Sequence, residues 1–280
     1  MRSRSLVVLL VLLAVVLAGC TGTNVDGEGS DGETGTTDTG YGPTTDDGDD
    51  GDSPVSDDGD SAEGEMVDLG DPDTLLREAG SFTAGWAYTF EEADEVTSGF
   101  EYEVAVDLVA NHSREFSRTS DAVQEVVFER YNAGGMSYMK YGSGEESVYM
   151  AMAQDTNPFA EAVSDAMVGE MSDYDRKGTE TFDGVTVTRY EFTDRTLWQA
   201  YGLGTVDEDD VEVTDFTLVV LVDEDGLARS TSWTLVGETE DGERVAAEWR
   251  YTLTRIGETV VAEPDWLETA KSQGMPGGDN

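Results

Sequence analysis

The chain has 280 residues, with 61 Asp and Glu against 16 Lys and Arg, a formal charge of -45, and a single cysteine. No basic stripe is available to neutralise phosphates, which excludes nucleic acid as a partner. With one cysteine no intrachain disulfide can form, so any domain must be held by its core.

At the N-terminus Arg2 and Arg4 precede an apolar run over residues 6–18. That run is short for a membrane-spanning helix and the right size for the core of a signal peptide. Ser3 separates the two arginines, so they do not form the twin-arginine export pair. The run ends in Leu17-Ala18-Gly19-Cys20, which resembles the lipobox of prokaryotic lipoproteins. The resemblance implies cleavage after a signal peptide of residues 1–19. It also implies lipid on Cys20, which would anchor the chain to the outer face of the cell membrane, because two long chains hold where one does not.

Residues 20–70 are mostly Gly, Ser, Thr, Asp and Glu, with Tyr41 the only aromatic and no Lys or Arg. Such a stretch buries too little apolar surface to offset chain entropy and is expected to be a disordered acidic tether. A flexible chain of that length reaches about 40 Å. Its Asp-rich runs do not fit the register of a calcium loop, and no metal site is expected there.

Order is expected over residues 71–270, with a flexible tail at 271–280. Asp71 as N-cap, Pro72 at the first helical position and Gly80 past the last turn predict a short helix. Phe82, Ala84, Trp86, Tyr88 and Phe90 then alternate with small or polar residues, and Phe100, Tyr102, Val104, Val106 and Leu108 do the same. Both are strands with one aromatic-rich face. Shorter strands are expected over residues 123–131, 136–141 and 147–153.

Asn157 and Pro158 open an amphipathic helix in which Phe159, Ala162, Val163, Ala166, Met167 and Met171 share a face. Asp183-Gly184 predicts a tight hairpin leading into a strand toward Phe192, and residues 197–201 a helical turn. A meander closes the domain, with strands over 211–222, 227–237 and 243–256, turns at 223–226 and Asp241-Gly242, and then Pro264, Trp266 and Leu267. In the last strand Val245, Ala247, Trp249, Tyr251 and Leu253 face one way.

The fold class expected is α+β: one large curved antiparallel sheet, a half-open β-barrel, wrapping a few helices. From the lead helix to Pro264 and Trp266 this arrangement resembles the carriers LolA and LolB and the lipoproteins LppX and LprG. Lipobox, acidic tether and the terminal Glu263-Pro264-Asp265-Trp266-Leu267 also look like uncharacterised lipoproteins of halophilic archaea, and so does the charge, whose repulsion is screened to within about 3 Å in 1 M salt. The carrier resemblance implies a non-enzymatic domain that binds or carries a hydrophobic ligand such as lipid. Trp86, Tyr88, Tyr102, Met167, Trp249 and Tyr251 would line the site. The alternative is a cell-surface interaction module whose barrel is filled by its own side chains.

Other chemistry is sparse. The single histidine, His112, has neither a serine-nucleophile elbow nor a second histidine beside it in sequence, so no catalytic residue is expected. Asn111-His112-Ser113 is a candidate N-glycosylation sequon in an exported chain. Met150 and Met152 share a strand face, but methionine fills adaptable core space by default, and neither metal nor cofactor is expected.

Overall fold

The computed structural model describes residues 69–121, 123–155, 157–166, 174–193 and 211–273. The expected signal peptide and tether up to residue 68, Met167, Met171 and the 197–201 turn lie outside them. All the described residues fall in the second of two units, residues 62–280.

The first element, α1 (Pro72–Ala79), forms as its caps dictate. The Asp71 carboxylate accepts from the backbone N–H of Thr74, and Gly80 takes a left-handed φ of 77° and donates its N–H to the Leu76 carbonyl. Eleven strands follow: β1 (Ser81–Glu92), β2 (Glu95–Asp107), β3 (His112–Asp121), β4 (Glu125–Ala133), β5 (Met136–Tyr141), β6 (Val148–Ala153), β7 (Asp175–Phe182), β8 (Val185–Phe192), β9 (Val211–Val222), β10 (Ala228–Thr239) and β11 (Arg244–Thr254). A helix, α2 (Pro158–Ala166), lies between β6 and β7, and α3 (Leu267–Gln273) follows β11.

The strands form a single antiparallel sheet in the order β6-β5-β4-β3-β2-β1-β11-β10-β9-β8-β7. It is open, with β6 and β7 at its edges, and mostly β with a few short helices, as the alternating pattern predicts. Bulges interrupt the register of β1 on β2, β7 on β8 and β9 on β10, and bulges sharpen local twist. At one of them Gly237 lies so close to β9 that a Cβ would stand 2.8 Å from the Glu212 carbonyl oxygen.

The two faces are covered by different helices. On the inner face, α1 and α2 bury Leu76, Phe159, Ala162 and Val163 against Phe82, Ala84, Val104, Val106, Tyr251 and Leu253. The ring of Phe159 meets Phe82 edge-on at 5.8 Å. On the outer face, Trp266 and, from α3, Leu267 and Ala270 are buried against Tyr131, with Ala105, Ala133, Tyr138 and Tyr149 around them.

Two elements depart from the expectation. The first is β3, whose inner positions Ser113, Glu115 and Ser117 are polar and whose outer ones include Arg114 and Arg118. It carries no apolar alternation, so the period that reveals a strand is missing. The second is α3, which falls partly in the expected tail. It is one turn longer than a cap, and its anchors Leu267 and Ala270 are only three residues apart.

Candidate functional site

Trp86 stands at the centre of the inner face. In register it is opposite Tyr102 on β2 and Tyr251 on β11, with ring centroids at 4.9 and 5.1 Å, both edge-on. Its neighbour on that face, Tyr88, is opposite Trp249 and lies 6.3 Å from Trp233. Tyr251 is buried, and its hydroxyl donates to the Ala162 carbonyl at 3.1 Å, which fixes α2 to the sheet. Trp86, Tyr88, Tyr102 and Trp249 are half-buried. Strand pairing thus brings together five of the six residues expected to line a site; the sixth, Met167, is outside the described residues.

Moving from β2 to β3, the same face turns polar. The hydroxyl of Tyr102 donates to Glu115 at 3.2 Å, and the Arg130 guanidinium pairs with the same carboxylate at 3.2 Å. Asn132 donates through Nδ2 to the Ser113 hydroxyl at 2.9 Å and to Glu115 at 3.3 Å. Only 2 % of Glu115 is exposed. Burial is the main cause of a raised carboxyl pKa there, opposed by Arg130 and by the hydrogen bonds of Tyr102 and Asn132.

Sequence periodicity missed this cluster because it lies on β3 and its partner strand. One signal pointed to it. Residues 109–122, between two expected strands, are too long a gap for a hairpin turn.

Beyond the cluster the face becomes apolar again. Met139 on β5 is buried opposite Met150 on β6. Met150 is 42 % exposed and Val148 58 %, and Val126, Tyr141 and Met152 are also exposed. From Trp86 to Met152 the inner face therefore presents aromatic, ionic and flexible aliphatic surface in succession. A shallow hollow of about 220 Å³ is elsewhere, over Thr89, Thr234, Val236, Ala246 and Glu248 on the outer face.

Asn111 is exposed in the turn between β2 and β3, at a left-handed φ of 55°. His112 rests 5.8 Å from the Tyr131 ring. Among the described residues no group of three or more His, Cys, Asp and Glu side chains is placed to hold a metal ion. Cys20 is outside the described residues.

A family model matches residues 4–270 of the chain. The chain belongs to DUF7537, a family of unknown function. No curated protein matches the sequence. Among solved structures, the chain is similar to MucB in complex with MucA(peri), at 15% identity and a TM-score of 0.25, over 71% of this chain and 58% of that one. It is also similar to a LolA superfamily protein from Nitrosomonas europaea, at 13% identity and a TM-score of 0.20, over 70% of this chain and 93% of that one. A third similarity, to the ywiB protein of Bacillus subtilis, has 7% identity and a TM-score of 0.17, over 62% of this chain and 91% of that one. The chain spans less than two thirds of the MucB complex chain.

Proposed function

We propose that this chain is a membrane-anchored extracytoplasmic lipoprotein whose domain binds a hydrophobic ligand, such as lipid, on its inner sheet face and catalyses nothing. The observation that supports this most is the placement of large apolar groups. Trp86, Tyr88, Tyr102 and Trp249 keep part of their surface open, and Val126, Tyr141, Val148, Met150 and Met152 are exposed on the same face. Exposed apolar surface concentrated on one face marks a binding site more often than chance solvation. Methionines at one end would let that surface re-pack around chains of different shape.

The rival reading, a surface module with a self-filled interior, draws on a specific observation. Trp86 fills its neighbourhood with Tyr102 and Tyr251, and Tyr251 is already bonded to α2.

Protein purified without detergent should carry co-extracted lipid by mass spectrometry. Met150→Glu, at an exposed position, should cut that load several-fold without lowering the melting temperature. Lipid-free extracts, together with no gain in signal from an apolar fluorescent probe, would leave the surface-module reading in its place. Anchoring is tested separately: Cys20→Ser should release the chain into the medium or leave it as an uncleaved precursor. Unchanged membrane retention and unchanged cleavage would remove the lipid anchor from the proposal.

A further inference from the structure

An apolar ligand alone would make no use of the polar cluster in the middle of the inner face. Two of its atoms are buried and have no hydrogen-bond partner: Nε of Arg130 and Oδ1 of Asn132. One lacks an acceptor and the other lacks a donor. Neither deficit is relieved by exchanging the amide's atoms, because a carboxylate only accepts. Nδ2 of Asn132 therefore faces Ser113 and Glu115, and Oδ1 is left without a donor. Asn132 is only 1 % exposed, so its carbonyl is not repaid by bulk water.

We infer that the ligand bound on the inner face ends in an uncharged hydroxyl, received between Arg130 and Asn132 beside Glu115. This rests on the binding reading above and specifies the chemical class of the ligand. Arg130 and Asn132 are two residues apart on the same face of β4, and a hydroxyl placed between them can accept from Arg130 Nε while donating its proton to Asn132 Oδ1. An anionic head is disfavoured for two reasons. The charge of Arg130 is already matched by Glu115 at 3.2 Å, and the chain as a whole carries -45. A cationic head would meet the Arg130 guanidinium.

The apolar remainder of such a molecule has surface to lie on. Arg130 is opposite Met139 in register, Met139 is opposite Met150, and Val148 and Met152 flank Met150 on its strand. The orphan atoms are closed off from solvent, so entry requires the side chains of Met139, Met150 and Met152 to move aside, which unbranched thioether chains do readily.

The test uses the full chain in molar KCl without detergent, with the neutral probe N-phenyl-1-naphthylamine bound to it. Three competitors share one alkyl chain: 1-decanol, decyl methyl ether, which accepts but cannot donate, and decanoate, which is charged. Decanol should displace the probe at a concentration lower by about tenfold or more than either of the others, since an unmatched buried polar atom is costly. Arg130→Lys keeps a cation beside Glu115 but removes Nε, and Asn132→Leu removes the acceptor. Each should bring decanol to the level of the ether, read as a ratio against that variant's own probe affinity.

If the probe binds but the three competitors are equal, a buried water alone fills the gap; the hydroxyl inference is overturned and the apolar reading stands. If decanoate displaces best, the head is anionic and the inference is likewise overturned. If the probe does not bind, both readings fall. Should a variant fail to fold, the comparison of decanol with its ether on the unmodified chain still decides.

Discussion

Trp266 donates its indole N–H to the carboxylate of Glu129 at 3.0 Å, across 137 positions of sequence. Arg114 and Lys140 donate to the same carboxylate, each at 2.9 Å. Donors from β3, from β5 and from the residue just before α3 thus converge on one buried anion, and α3 is held on the outer face over the strands that end in the methionine patch.

Trp266→Phe keeps an aromatic ring on the outer face and removes the donor. It should destabilise the domain by roughly 1–3 kcal/mol, the range for a hydrogen bond to a charged group whose partner is left behind. Glu129→Gln should cost about as much, since Lys140 and Arg114 lose their counter-charge. Chemical denaturation in molar salt measures both, and an unchanged midpoint in each would show that the contact holds nothing.

Two buried glutamates should respond to pH in opposite senses. Burial raises the Glu115 pKa, so the folded chain keeps this proton to a higher pH than the unfolded one. Its effect on stability is nil at low pH and becomes unfavourable as pH climbs from the ordinary glutamate range to the raised value. For Glu129, burial is again the largest influence and would raise the pKa. The hydrogen bonds of Lys140, Trp266 and Arg114 together outweigh it, and the pKa ends lowered. Its stabilisation is therefore present above the ordinary glutamate range and is lost as pH falls through the lowered value. Glu115→Gln should be at least as stable as the unmodified chain at neutral pH, and Glu129→Gln less stable. Both differences should shrink on acidification, and shifts of the same sign at neutral pH would contradict the assignment.

Salt dependence follows from the net charge of -45. Lowering salt from molar to tenth-molar lengthens the screening distance from about 3 to about 10 Å and restores repulsion among carboxylates. The melting temperature should fall across that range. A flat profile would mean that carboxylate repulsion does not limit the stability of the fold.

Gly237→Ala tests the close approach of β10 to β9. A methyl group 2.8 Å from the Glu212 carbonyl oxygen and from a Val211 methyl forces the bulge to shift. The loss should be about 1–3 kcal/mol, the usual cost of overpacking, read from the denaturation midpoint; no loss would mean the bulge gives freely.

Much of the sheet was legible because its strands advertise one face. Phe82 to Phe90 and Val245 to Leu253 alternate cleanly, and each set proves to lie on the inner face with the two in register. Asp71, Pro72 and Gly80 marked a helix by their backbone chemistry alone. The polar half of the candidate site was hidden for a physical reason. Glu115 and Asn132 are buried by virtue of partners on other strands, and a partner across a sheet leaves no trace in local periodicity. The same holds for Trp266, whose donor finds Glu129 only after the chain has folded.

The strand order carries a consequence for assembly. Every neighbouring pair in the sheet consists of consecutive strands except β1 with β11. Two ladders, β1 to β6 and β7 to β11, can each grow outward from their own turns. The seam between them joins Thr83 to Thr254, 171 positions apart, and closing so long a loop costs about 4–5 kcal/mol of chain entropy on a logarithmic scale. Slow, non-local pairing of this kind sets the pace of folding. Substitutions that weaken the seam, such as Ala84→Gly, should slow folding, whereas those confined to the β5–β6 hairpin should mainly speed unfolding, a contrast that stopped-flow kinetics would read directly. In a chain synthesised N-terminus first, β1 must wait for β11, and the inner face is complete only after residue 254 has emerged.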